Sequence, residues 1–232
     1  GAMLRRLGIG MIALGAACMP PPPPKPIPPV STGKVRVRVF TEPSPVRAID
    51  SAGHYLFVAT EDSVERWDAT GHVLVMNADH GLSGDHVTAL AADAERKRLW
   101  ILTDGGLGYY DATSEVFSDL PSPPPSLAIF FPELAKDGAT MASAAEGGVW
   151  IGTAKGVLFA SDKGGWLTLP FKEPVRAMTR DRAGWLWLAA KSGLYARKPN
   201  GDIVRIGTAQ GCEVAEPRIL VAAPGDRVLA IG

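Results

Sequence analysis

Hydrophobic residues in this chain gather in short runs divided by turns rich in Gly, Asp and Ser. That pattern predicts strands, with no helix-period segment of useful length after the first forty or so residues. In the clearest unit, Gly81-Leu82-Ser83-Gly84-Asp85-His86 is a turn and Val87–Ala91 an inner strand. A polar hairpin over Asp93–Arg98 leads to a strand over Leu99–Thr103. Asp104-Gly105-Gly106 is a tight turn suited to positive φ, Leu107–Tyr110 a third strand and Glu115–Leu120 an outer fourth. The same order returns as Val175–Met178, Trp185–Ala190, Leu194–Ala196 and Asp202–Ile206. An earlier unit offers Val46–Ile49, Tyr55–Ala59, Val64–Trp67 and His72–Val75, and a later one Arg218–Ala222 and Arg227–Ile231.

One phrase recurs on the second strand of each unit. It reads Leu99-Trp100-Ile101-Leu102-Thr103, then Val149-Trp150-Ile151-Gly152-Thr153 and Leu186-Trp187-Leu188-Ala189-Ala190, with Phe57 in the first copy and Ala230 in the last. Phe57, Trp100, Trp150, Trp187 and Ala230 are 43, 50, 37 and 43 residues apart. Several short strands per unit at such a period point to an all-β fold, a β-propeller of four-stranded blades, with about four and a half blades present. The expected blades span residues 44–85, 86–122, 123–173, 174–210 and, in part, 211–232. Phe57, Trp100, Trp150 and Trp187 are expected to fill the wedges between blades. Trp166 and Trp185 fall outside that register and are the candidates for exposed stacking surfaces.

The stretch from Gly81 to Leu90, leading into Leu99-Trp100-Ile101-Leu102-Thr103-Asp104-Gly105-Gly106-Leu107, resembles the two-component regulator propeller repeat. Val149–Thr153 with Gly156-Val157, and Leu186-Trp187 with Gly193-Leu194-Tyr195, resemble it too. The resemblance covers about residues 44–232. Blade one departs from it with Phe57 for the tryptophan, and blade four with Ala190 for the threonine. It implies a seven- or fourteen-bladed propeller, commonly the extracytoplasmic sensor part of a signalling protein, without specifying a ligand. Gly184-Trp185-Leu186-Trp187 is also similar to a phrase of streptogramin-lyase-like propellers, which implies a histidine and a metal on one propeller face.

Composition adds little field and little chemistry. Lys plus Arg and Asp plus Glu number 24 each, so no net charge draws the chain to nucleic acid. His80 and His86 bracket a turn with Asp79 and Asp85 nearby, but no further convergent ligand is nominated, and no metal or cofactor is expected. A nucleophile elbow and a phosphate-cradling loop are both missing, and no catalytic residue is put forward. Asp50, Asp93 and Asp181 recur at similar blade positions and read as turn caps. Cys212 reads as a structural free thiol.

The first residues carry an address. Leu4-Arg5-Arg6, an apolar run over Leu7–Ala17, and Gly15-Ala16-Ala17 before Cys18 resemble a bacterial lipoprotein signal, which implies lipidation at Cys18; ordinary signal cleavage is the competing reading. The proline-dominated stretch over residues 19–30, within a linker over 19–43, reads as a stiff stalk. The chain is therefore expected to be exported to the cell envelope, periplasmic or surface-facing.

The widest spacing in the repeat lies between blades two and three. Pro121–Pro125 runs there into Ser126-Leu127-Ala128-Ile129-Phe130-Phe131-Pro132. Phe130 and Phe131 are either an exposed contact or packed under the loop, and packing is the favoured reading. Taken together, these features suggest a non-catalytic ligand-binding or sensory module. A propeller lyase and a scaffold subunit of an envelope complex are the alternatives. The open edges of the outermost blades call for further blades or a protein partner to close the ring.

Overall fold

The computed structural model describes residues 45–212, 214, 216–223 and 227–232, so Cys18, the signal-like segment and the linker over residues 19–43 lie outside the described residues. The described residues form four four-stranded antiparallel sheets and one two-stranded sheet. Blade 1 is β1 (Ala48–Ala52), β2 (Tyr55–Ala59), β3 (Val64–Trp67) and β4 (Val73–Met76). Blade 2 is β5 (Val87–Asp93), β6 (Arg98–Thr103), β7 (Gly106–Asp111) and β8 (Val116–Asp119). Blade 3 is β9 (Thr140–Ser143), β10 (Val149–Thr153), β11 (Gly156–Ala160) and β12 (Trp166–Thr168). Blade 4 is β13 (Val175–Arg180), β14 (Leu186–Ala190), β15 (Gly193–Arg197) and β16 (Ile203–Ile206), and β17 (Ile219–Ala223) pairs with β18 (Arg227–Ile231).

Within each sheet the strands pair in chain order. The first strand of each sheet packs on the first strand of the next: β1 on β5, β5 on β9, β9 on β13 and β13 on β17. First strands are therefore innermost and fourth strands outermost, which is the arrangement of a β-propeller. It also sets two rims. The connections from a fourth strand to the next first strand, and the turns between second and third strands, share one rim, called here the upper. First-to-second and third-to-fourth turns share the lower.

The core lies between blades because strand periodicity aims alternate residues at alternate neighbours. On β6, Leu99 and Ile101 pack toward blade 1 while Trp100 and Leu102 pack toward blade 3. On β14, Leu186 and Leu188 face blade 3 while Trp187 and Ala189 face β17 and β18. Phe57, Trp100 and Trp150 are buried, and Trp187 is half-buried.

The register of the last sheet differs from the sequence expectation. Val221 pairs with Leu229 as Ala91 pairs with Trp100, and Ala230 packs inward on blade 4. The tryptophan position of this unit is therefore held by Leu229 and not by Ala230.

The recurring aspartates also divide. Asp93 Oδ1 accepts from Arg96 N at 3.1 Å and Asp181 Oδ1 from Trp185 N at 2.9 Å, both closing first-to-second turns. Asp50 sits two positions earlier in its strand, opposite Phe57, and its Oδ2 instead accepts the Ala92 N–H of the next blade at 2.6 Å. Burial pushes the Asp50 carboxyl above the usual carboxylate range, against the pull of the Ala92 and Ser51 N–H groups. Asp181 does double duty: its Oδ2 accepts from Trp187 Nε1 at 2.8 Å. In blade 2, Asp93 Oδ2 is taken by Arg96 Nη1, and the buried Trp100 Nε1 has no partner.

A cleft under the longest inter-blade connection

Residues 120–139 join blade 2 to blade 3 and form the longest connection among the described residues. Proline restricts φ and lacks an N–H donor, so Pro121–Pro125 cannot extend β8 as a paired strand. The chain instead makes a 3-10 segment over Pro125–Phe130 and a single α-helical turn, α1 (Phe131–Leu134), with Pro132 in the first turn, where a missing N–H costs nothing. Adjacent helical positions point about 100° apart, and this separates the two phenylalanines. Phe130 turns inward and is 8% exposed, whereas Phe131 is 40% exposed. Packing was favoured for the pair, and only Phe130 packs.

The connection is pinned to the upper rim at several points. Leu134 joins the core between blades 2 and 3, and Thr88 Oγ1 donates to Leu134 O at 3.4 Å. Asp137 is held from two sides: Arg47 Nη1 donates to Oδ2 at 2.8 Å, and His86 Nε2 lies 2.9 Å from Oδ1. These bonds from His86 and Arg47 hold the Asp137 carboxyl below the usual carboxylate range. The three groups come from the inner ends of blades 1 and 2 and from the connection itself.

Between this strap and blade 2 lies a cleft of about 330 Å³. Its walls include Phe131, Leu134 and Trp166, the prolines Pro121 and Pro123, and the turn Asp104-Gly105-Gly106. Asp104 and Asp119 are exposed carboxylates in the lining, which contains no Lys, Arg or His. Gly84 and Gly105 shape one side by close approach. A Cβ on Gly105 would overlap the Ser83 carbonyl oxygen, and one on Gly84 would overlap the Asp104 carboxylate. Only glycine lets the two upper-rim turns of blade 2 touch there, and Asp104 Oδ1 accepts from His86 N at 3.1 Å across the same contact.

The residues singled out for stacking do not share one site. Trp166 faces the cleft but is half-buried against the core between blades 2 and 3, and its Nε1 donates to Pro121 O at 2.9 Å. Trp185 belongs to the lower rim, half-buried rather than exposed. Its ring stacks on Trp187 at 6.2 Å, and Lys198 Nζ lies 5.7 Å from its centre. The structure thus joins Phe131 to Trp166 and separates Trp185 from both.

Asp104 and Asp119 were not put forward from sequence; the Asp-Gly-Gly turn was the available signal for the first. The four histidines fall on both rims: His54 and His72 in lower-rim turns, His80 and His86 in the upper-rim connection before β5. Among the described residues, no three His, Cys, Asp or Glu side chains gather as a metal site would require. Cys212 is a half-buried free thiol beside Leu194 and Leu220.

The sequence matches no family model and no curated protein. Solved structures do resemble the fold. The extracellular domain of the one-component system BT4673 from B. thetaiotaomicron aligns with a TM-score of 0.60 at 14% identity, over 84% of this chain and 27% of that one. A catalytically inactive virginiamycin B lyase from Staphylococcus aureus, solved with quinupristin, gives 0.59 at 13% identity, over 83% of this chain and 64% of that one. PorZ, a surface component of the type-IX secretion system of Porphyromonas gingivalis, gives 0.57 at 10% identity, over 80% and 25%. The chain spans about a quarter of the length of the BT4673 domain and of PorZ. At these identities the likeness shows the propeller fold, which an extracellular domain of a one-component system, a lyase and a secretion component share.

Proposed function

We propose that this chain is the ligand-binding propeller of an exported sensory or recognition protein, and that the cleft under residues 120–139 receives the ligand. The observation that carries the reading is the strap itself. The connection that departs furthest from the repeat folds over the rim and is bonded to two blades. It builds a concavity that the repeat alone would not contain. Binding sites concentrate on such connections held by a rigid scaffold.

The lining suggests the ligand's chemistry. Phe131, Trp166 and the prolines offer apolar and flat surface, and the fixed Trp166 ring loses little freedom on contact. Two carboxylates without a cationic neighbour repel anions and favour a cation or hydrogen-bond donors. A neutral or basic ligand with an apolar face fits, and an acidic one does not. Cys18 and the proline stretch would tether the propeller to a membrane surface while holding it clear by ~3.1 Å per residue of stalk. The extracellular domains of one- and two-component systems that share the fold support this role.

The test is a printed array of neutral oligosaccharides and basic peptides, with hits titrated by tryptophan fluorescence against the parent chain, Phe131→Ala and Asp119→Asn. The reading expects each variant to weaken binding by about tenfold, the worth of ~1.4 kcal/mol. Affinity unchanged in both variants would remove the cleft as the site.

A further inference from the structure

An arginine lies over an aromatic ring at each of the three interfaces between four-stranded blades. Arg66 stands 4.4 Å from the centre of the Tyr55 ring, Arg98 4.5 Å from Tyr109 and Arg197 4.6 Å from Trp150. A guanidinium held this way keeps its N–H donors in a fixed fork, and those donors need acceptors where they leave water. Between blades 1 and 2, Arg66 donates to Tyr110 and Glu115 at 2.7 Å each. Between blades 2 and 3, Arg98 lies 3.2 Å from Asp162 and 3.5 Å from Asp111.

Between blades 3 and 4 the pattern breaks. Arg197, at the lower-rim end of β15, is paired with Leu186, which faces blade 3, and its guanidinium meets Trp150 there. Arg197 has neither a carboxylate partner nor a side-chain hydrogen bond among the described residues, and its Nε is buried without an acceptor. The Trp150 indole N–H likewise donates to no group among the described residues. The carboxylates of the neighbouring lower-rim turns are committed elsewhere or stand apart. Asp162 is held by Arg98, and Asp181 by the Trp185 N–H and Trp187 Nε1. Asp202 accepts from Asn200, and Glu146 is exposed in its own turn. A buried, unpaired donor on a cation is costly, and native structures seldom leave one without a partner of some kind.

We propose that the lower-rim end of the interface between blades 3 and 4 binds a small acidic ligand. The ligand's carboxylate, sulfate or phosphate group is received by Arg197, which the Trp150 ring holds in place. The other two interface arginines select this chemistry. There the chain itself supplies carboxylate oxygens to the same fork over the same kind of ring; here a ligand supplies them, in the two-oxygen contact that suits a guanidinium. Exposed Arg182, in the β13–β14 turn of the same rim, adds a second cation without a carboxylate partner among the described residues. The site is independent of the cleft under residues 120–139. It lies on the opposite rim and takes the opposite charge, since that cleft is lined by carboxylates and no cation. Hydration of Arg197 by solvent alone is the competing account.

Inorganic phosphate, sulfate and acetate, each titrated into the full 232-residue chain at ionic strength held constant with sodium chloride, separate the two. Tryptophan fluorescence and the thermal unfolding midpoint are the readouts. At least one of the three should saturate and raise the midpoint, and the order of the three names the oxyanion that the site prefers. Arg197→Gln should weaken that binding by about tenfold or more, and Arg197→Lys, which keeps the charge but not the fork, by about threefold. Lys191→Gln, an exposed upper-rim change of the same charge, should leave it at the parental level. Arg197 makes no hydrogen bond or ion pair within the described chain, so both variants should keep the parental circular dichroism. A parent chain that responds to none of the three beyond the chloride control overturns the proposal and leaves Arg197 to solvent. Parental affinity in the Arg197 variants overturns it too, as does an equal loss in Lys191→Gln, which marks diffuse charge screening in place of a site.

Discussion

Replacing Trp100 by alanine tests how far the wedge between blades carries the stability of this chain. Trp100 is fully buried, and its ring meets Tyr109 edge to face at 5.1 Å. A buried tryptophan removes ~150–250 Å² from water. At ~25 cal/mol per Å² that is about 4–6 kcal/mol, and truncations of this kind cost ~3–5 kcal/mol. The loss should fall in that range and be concentrated where blades 2 and 3 meet. Trp100 has a second property: its Nε1 is buried without a hydrogen-bond partner, a standing cost of ~1–3 kcal/mol. Trp100→Phe gives up part of the ring but removes that donor, so it should leave stability within about 1 kcal/mol of the parent. Leu229→Ala changes the same repeat position on an exposed face and should cost less than ~0.5 kcal/mol in the isolated chain. Urea unfolding followed by far-ultraviolet circular dichroism reads all three. Midpoints for each blade pair are more informative than one global value, because repeat arrays unfold by neighbour interfaces. A loss below about 1 kcal/mol for Trp100→Ala, or one equal to that of Leu229→Ala, would refute the wedge argument.

Gly105→Ala should destabilise by about 1–3 kcal/mol and disturb the cleft, because the added methyl overlaps Ser83 O; thermal unfolding with a binding titration reads both effects. Asp50→Asn keeps an acceptor for the Ala92 N–H while removing a carboxylate whose folded-state ionisation is disfavoured. A raised folded pKa penalises the ionised form, so the variant should gain stability at neutral pH, and the gain should vanish at acid pH where Asp50 is protonated in both states. Asp137 has the opposite sign. Its folded pKa is lowered, so its hold on the strap is present above the usual carboxylate pKa and lost as pH falls through the folded value. Protection against hydrogen exchange over residues 125–139 should fall in the parent only at pH below the usual carboxylate range, and already at neutral pH in Asp137→Ala. Arg66 is buried between blades 1 and 2, donating to Tyr110 and Glu115 at 2.7 Å each over the Tyr55 ring, and Arg66→Ala should cost about 1–3 kcal/mol by urea unfolding, chiefly from leaving the buried Tyr110 hydroxyl without its partner, since Glu115 is exposed. In a bacterial host, Cys18→Ser should release the chain from the membrane pellet and abolish fatty-acid labelling, and membrane retention at the parental level would remove the tether from the account.

Strands were legible where a recurring apolar phrase lies between Gly- and Asp-rich turns, even where both faces are buried, as in β6 and β14. β9 escaped notice because Thr140–Ser143 is short, mixes polar and small residues and carries no such phrase. The last unit misled for a related reason: Val228-Leu229-Ala230-Ile231 is apolar throughout, so the sequence carries no phase, and only pairing with β17 assigns Leu229 outward. Asp50 fell into the same trap by two positions. Trp185 precedes β14, which runs over Leu186–Ala190, and its burial comes from stacking on Trp187, a contact between neighbours that no periodicity announces. The strap was visible as a widened spacing. Its pinning by Arg47 and His86 was not, because that brings Asp137 of the connection against residues at the starts of two different blades.

The measurement that bears most directly on the cleft is hydrogen–deuterium exchange with and without the strongest array ligand. Protection confined to residues 103–107, 119–123 and 131–135, with the lower rim unchanged, is the predicted outcome. Protection that falls instead on the lower rim around Trp185, or along the inner strands away from the strap, would contradict the account.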